Sequence, residues 1–213
     1  GADVLVVAAD AFYAAVQPLV LQRQAQGLRV AVARLTDVLD EFNGGISEAQ
    51  GIKNFAQWAF ANYAAPAPTY LLLVGDATFD PANYMGQGDN HVSTWFFQAP
   101  SFGLAPTDSW FGAVNGSDDV PDLAVGRISA RTAGDVTLAV DNLIAYENAP
   151  PLAALNSGVL YVADDDDPSF EALQEDLIAR FQPPAMTARR VYLNSFPQSQ
   201  AGVDAALSAK SAE

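Results

Sequence analysis

Carboxylates carry most of the chemistry this sequence could do. Four aspartates stand in a row, Asp164-Asp-Asp-Asp167, directly behind the apolar run Gly158–Ala163. A loop of that kind at the carboxyl end of a strand reads as a solvated acidic turn, as a cation site, or as the source of one carboxylate that orients a catalytic histidine. Repulsion among the four charges is expected to raise some of their pKa values unless a cation sits there. A second oxygen-rich stretch is Asn115-Gly-Ser-Asp-Asp119, with Asp122 just beyond it. Its side chains suit Ca²⁺, which takes oxygen ligands, although the twelve-residue EF-hand pattern and its closing Glu are absent. A solvated turn is the plain alternative. The candidate ligands for a structural Ca²⁺ are therefore Asn115, Asp118, Asp119 and Asp122 in one loop, and Asp164, Asp165 and Asp167 in the other. Asp76 and Asp80 follow a third apolar run, Tyr70–Val74, where catalytic groups collect in open α/β sheets. The plain reading of Asp76 is a carboxylate bonded to the N–H groups of the next turn. With Mg²⁺ and the 164–167 cluster, Asp76 and Asp80 would suit a metal-dependent hydrolase.

Other chemistries are closed to these residues. The 213 residues include no Cys and a single His, His91, so there is no thiolate nucleophile, no disulfide and no His-rich zinc site among them. His91 lies in a long segment with no Ser or Cys beside it and reads as an ordinary loop histidine. The formal net charge is −15, which argues against nucleic acid and anionic membranes as partners. It suits a secreted, cation-binding or salt-tolerant protein. No apolar run reaches membrane-spanning length, and half the residues are hydrophobic, which argues against disorder. The chain opens on Gly1, enters a strand almost at once and stops behind a helical pattern, so it is expected to be part of a longer protein.

The elements that must position these acids follow an alternating β/α pattern. Val4–Ala9, Leu28–Leu35, Tyr70–Val74 and Leu123–Val125 read as parallel strands, the last ended by Gly126. Asp10 is placed to cap a short turn. A helix starts at Pro18 and stops before Gly27, and a short one runs from Thr36 to Phe42. Ser47 and Gln50 form a capping-box pattern ahead of a helix whose apolar stripe is Ile52, Phe55, Ala56, Ala59 and Phe60. Thr132 with Asp135 starts another. Ala77–Pro121 reads as one long irregular segment, which at this length is usually functional. Within it, Asp108 is expected to join Asp122 and Arg127 in an ion-pair network locking the segment to the sheet. The Pro150-Pro151 stretch between Asn148 and Asn156 is the best linker. It divides a first α/β unit, residues 1–151, with a three-layer parallel sheet and helices on both faces, from an incomplete second, residues 152–213. The second carries strands Gly158–Ala163 and Arg190–Leu193 and helices near 169–181 and 199–208.

Six stretches in register resemble the gingipain-type cysteine peptidases, the caspase-like family C25. They are Gln26-Gly-Leu-Arg-Val30, Tyr70-Leu-Leu-Leu-Val-Gly-Asp76, Thr107-Asp-Ser-Trp-Phe111, Pro121-Asp-Leu-Ala-Val-Gly-Arg-Ile128, Ala145-Tyr-Glu147 and Val159-Leu-Tyr-Val-Ala-Asp164. The resemblance implies two side-by-side α/β subdomains, the second caspase-like and carrying a Cys/His dyad that acts on protein or peptide substrates. It also implies a secreted or cell-surface protein. The family's histidine stands in a Gly-His-Gly motif after the next strand and its cysteine on the strand after that, so both are expected beyond residue 213. His91 does not correspond to that histidine. The family's acid near the histidine maps by spacing onto Asp166, and its substrate-pocket acid has no counterpart that can be placed. A non-enzymatic module of the same fold, lacking the dyad, is the other reading of the resemblance.

Overall fold

A computed structural model describes residues 1–86, 88–100, 103–149 and 157–212, the last without the side chains of 210–212. Its strands are β1 (Val4–Ala8), β2 (Val30–Arg34), β3 (Tyr70–Val74), β4 (Trp95–Ala99), β5 (Gly103–Thr107), β6 (Ala124–Ile128), β7 (Gly158–Ala163) and β8 (Thr187–Tyr192). Its helices are α1 (Gln17–Ala25), α2 (Leu35–Asn43), α3 (Ala49–Asn62), α4 (Ala133–Asn148), α5 (Pro168–Phe181) and α6 (Gln200–Ala212). The chain forms two units, Gly1–Asn148 and Ala149–Glu213.

The first unit is built on a parallel sheet of order β2-β1-β3-β6. β1 is central and all five of its residues are buried, as an uninterrupted apolar run requires. The chain leaves β1 toward β2, then returns past β1 to β3. Right-handed crossovers in opposite directions put their helices on opposite faces. α1 therefore lies on one face, where α4 joins it, and α2 and α3 pack together on the other. The guanidinium of Arg23 on α1 grips both carboxylate oxygens of Glu147 on α4 at 2.6 and 2.7 Å. Arg29 fixes the amino ends of β1 and β2 through Asp3, whose carboxyl its hydrogen bonds hold down at about 2.

Several local expectations need correction. Leu28–Leu35 shortens to β2, because Leu35 already opens α2. Gly126 does not end β6; it sits mid-strand opposite Leu72, and the strand runs on to Ile128. The Ser47–Gln50 capping box does not form: Glu48 is the N-cap, with no side-chain hydrogen bond, and Gln50 donates to Asn54. Asp10 serves α2 rather than its own turn, accepting from Thr36 Oγ1 at 2.6 Å and Thr36 N at 3.3 Å. The reciprocal Thr132–Asp135 box does form at the start of α4. The irregular segment 77–121 contains an antiparallel hairpin, β4–β5, and a 3₁₀ turn at Ser109–Gly112. Pro106 is tolerated there because a two-stranded ribbon has only edge strands.

The second unit is smaller. β7 and β8 pair in parallel, with α5 between them in sequence and α6 following. Arg190–Leu193 moves back to Thr187–Tyr192, and Leu193 begins a 3₁₀ turn. The proposed linker residues 150–156 lie outside the described residues.

Candidate functional site

At the end of β3 the chain turns on Gly75, at φ +144°. A Cβ there would lie 2.8 Å from Val92 and 3.0 Å from His91, so only glycine lets the returning loop close over the strand. The Asp76 backbone carries that loop: its carbonyl accepts from the amides of His91 and Val92, and its N–H donates to Ala130. In sheets of this order, ligands enter where the crossovers diverge, between the ends of β1 and β3. Here the crevice is filled. Phe12 and Val92 are buried in the core, and the His91 ring lies 4.8 Å from that of Phe12. His91 is thus a packing residue in this unit.

The two acids behind β3 are both engaged. Asp76 pairs through Oδ2 with Arg131 Nε at 3.0 Å rather than capping its own turn. Asp80, buried, accepts the Met85 amide at 2.6 Å and holds the loop after β3. They form no three-acid group within metal-binding distance.

Arg127, near the end of β6, is the lock that the segment after β3 was expected to carry. Its guanidinium makes a fork on Asp108 at 2.7 and 2.8 Å and donates to the carbonyls of Gly75, Val92 and Ser93. Burial opposes ionisation of Asp108 most strongly, but Arg127 and the Thr94 hydroxyl outweigh it and keep the carboxyl below its ordinary value. Asp122 is not in this network. Its Oδ2 instead accepts the amides of Val114 and Asn115 at 2.9 and 2.8 Å. Lys53 of α3, also buried, donates to the carbonyls of Trp110 and Ala113 and lies over the Trp110 ring. Burial pulls its amine below the usual lysine range, opposed by the charges of Asp119 and Asp122. The side chains of Asp118, Asp119 and Asp122 do not converge as a ligand group, and Asp118 accepts from Val120 N at 3.1 Å. Asn115 contributes a backbone amide to Asp122.

In the second unit the acidic loop does converge. Asp164, Asp165 and Asp166 each present an oxygen within 4.8 Å of the others, the only such group among the described residues. Asp167 turns away. Its Oδ1 caps α5 by accepting the Ser169 amide at 2.8 Å, with Pro168 in the first turn. That bond lowers its pKa, so Asp167 is not one of the acids whose value rises. Beside them stands a network the sequence does not announce. Glu175 on α5 accepts Arg190 Nε at 2.6 Å and the Tyr192 hydroxyl at 2.7 Å, both from β8. Arg190 and then Tyr192 hold Glu175 down at about 2, while burial and then Glu175 push Tyr192 up to about 12. Residues 15 and 17 apart on different elements leave no periodic signal. An acid on a helix and a cation on the next strand is the only hint available.

The parallel sheet flanked by helices and the second β/α unit match the fold of the gingipains. The chain belongs to peptidase family C25, whose family model matches residues 1–211. Three solved structures show the same fold at low identity. The Arg specific cysteine proteinase gingipain R (RGPB) superposes with a TM-score of 0.62 at 17% identity, covering 90% of this chain and 41% of that one. The complex of Porphyromonas gingivalis RgpB pro- and mature domains gives 0.61 at 16% identity, covering 89% and 41%. Dimeric latent PorU from Porphyromonas gingivalis gives 0.55 at 23% identity, covering 82% and 20%. The chain thus spans between a fifth and about two-fifths of the length of these proteins. No curated protein matches the sequence.

Proposed function

We propose that this chain is the amino-terminal part of the catalytic domain of a secreted or cell-surface cysteine endopeptidase whose Cys/His dyad lies beyond residue 213. The observation that carries the reading is the family match over residues 1–211 in a chain with no Cys and with its one His packed against Phe12. In the parent, a thiolate attacks the peptide carbonyl and an imidazole takes and returns the proton. This chain supplies the framework and, at the end of β7, Asp166 as the acid that orients the imidazole. Its substrates are proteins or peptides. Asp164 and Asp165, whose oxygens lie within 4.8 Å of each other and of Asp166, are the best-placed ligands for a structural Ca²⁺.

Two experiments test it. The reading frame after residue 213 should encode a strand, a Gly-His-Gly and then a Cys on a later strand. In the parent enzyme, Asp166→Asn should lower kcat while the Cys still reacts with a thiol-directed inhibitor. A frame lacking both His and Cys would favour the non-enzymatic module instead.

A further inference from the structure

A cleft of about 600 Å³ opens in the first unit at the carboxyl ends of β3 and β6. Its floor carries Asp76, Thr78, Ser129 and Arg131, and its far wall is the inner face of the β4–β5 hairpin, with Phe96, Leu104 and Pro106. That volume lies in the range of small-molecule and peptide pockets. The cleft takes no part in the proposed peptidase chemistry, and it stands whether or not that reading holds.

Two features select its ligand. The first is Arg131. Asp76 holds it by Nε alone, at 3.0 Å, and neither terminal nitrogen donates a hydrogen bond to any described residue. The side chain is 75% exposed. A guanidinium tethered at Nε is turned so that its outer edge stays free, and that edge matches the two oxygens of a carboxylate. The second feature is the wall beside it. Leu104 is 70% exposed and Phe79, also lining the cleft, 66%, so the cleft that holds the guanidinium also presents uncovered apolar surface. Charge narrows the choice further. Asp76, Asp89 and Asp108 outnumber Arg127 and Arg131 by one in the lining, and the Asp135 carboxylate stands close to Arg131 as well. In an excess of negative charge a monoanion is tolerated far better than phosphate or a multiply acidic peptide.

We propose that this cleft binds the free carboxyl terminus of a peptide that ends in an apolar residue. The α-carboxylate and the last side chain share one Cα, so a single residue offers the anion to Arg131 and its side chain to Leu104, Pro106 and Phe79. An Asp or Glu side chain carries its carboxylate without an apolar group beside it. A C-terminal amide keeps the apolar contact and loses the fork.

The test is titration of the 213-residue chain with N-acetyl-alanyl-phenylalanine, its C-terminal amide, N-acetyl-aspartyl amide and inorganic phosphate, followed by amide chemical shifts. The free acid should bind and shift the amides of Thr78 and Ser129, and the amide should bind at least about tenfold more weakly, which is the loss of one charge-assisted pair. Arg131→Gln should cost a similar factor and Arg131→Lys less, since lysine keeps the charge without the fork. Leu104→Ser should weaken the free acid severalfold and leave phosphate unaffected. Because Arg131 and Leu104 are exposed, both variants should melt with the parent chain. Equal binding of acid and amide, preference for the aspartyl probe or phosphate, an undiminished Arg131→Gln variant, or no binding of any probe in the millimolar range would each overturn the proposal.

Discussion

Replacing Arg127 by Met removes the guanidinium that ties β6 to the loop after β3 while keeping most of the aliphatic stem. Five hydrogen bonds disappear: two to Asp108 and one each to the carbonyls of Gly75, Val92 and Ser93. Breaking a buried pair by deleting one partner costs about 3–5 kcal/mol, because the other charge is left without compensation. Asp108 keeps its Thr94 bond and partial access to water, which places the expected loss near the lower end, about 3 kcal/mol. For a unit of this size that is a fall in Tm of roughly 6–12 °C. Tryptophan fluorescence reports it cleanly, since Trp58, Trp95 and Trp110 all lie in the first unit. The pH dependence has a definite sign. Asp108 has a depressed folded-state pKa, so its contribution is complete above the unfolded carboxyl value and fades as pH falls through the folded one. Arg127→Met should therefore lose less, relative to the parent chain, in acid than at pH 7. A double-mutant cycle with Asp108→Asn should show coupling above about 1 kcal/mol. A loss below about 1 kcal/mol, or additive single changes, would refute the assignment of Arg127 as the lock.

The second unit should respond to Glu175→Gln. Arg190 and then Tyr192 stabilise the ionised form of Glu175, so that stability is present above the usual glutamate pKa and disappears as pH falls toward about 2. At the alkaline end, ultraviolet titration should show one tyrosine ionising near 12 in the parent chain, and in Glu175→Gln that tyrosine should move down toward its ordinary value. Gly126→Val should raise the Tm of the first unit: a Cβ at Gly126 meets nothing within 4 Å, and the exposed position opens on an apolar groove of about 370 Å³ lined by the sheet, α1 and α4. Replacing a mid-strand glycine is worth about 0.5–1 kcal/mol. A Ca²⁺ ion held by Asp164, Asp165 and Asp166 would raise the melting midpoint in excess Ca²⁺ relative to EDTA; an unchanged midpoint counts against it.

The sheet was legible wherever a strand is an unbroken apolar run. Val4–Ala8, Tyr70–Val74 and Gly158–Ala163 are such runs, and Gly75 or the aspartates from Asp164 mark the turn after the last two. β6 runs on past the point where its mid-strand Gly126 looks like punctuation, because that glycine pairs with Leu72 and its side-chain position faces open space. The hairpin was hidden because Trp95-Phe-Phe97 shows no alternation: Trp95 stacks on Trp110 while Phe96 lines the cleft on the other face. The acids were visible as residue types, but their work depends on partners brought from afar. Asp108 meets Arg127 and Asp76 meets Arg131 only once β3 and β6 lie side by side. Arg131 itself precedes a helix cap and looks, in the sequence, like an ordinary surface charge.

The most direct test of the account compares this 213-residue chain with its full-length parent in one labelling experiment. Both are incubated with a thiol-directed peptidyl inhibitor and with a peptide substrate, and the adduct is located by mass spectrometry. The chain has no Cys, so it should take no label and hydrolyse nothing, whereas the parent should be labelled at a single Cys downstream of residue 213 and lose its activity in step. Hydrolysis by the isolated chain, or a parent that cleaves peptides while its cysteines stay unmodified, would contradict the central claim.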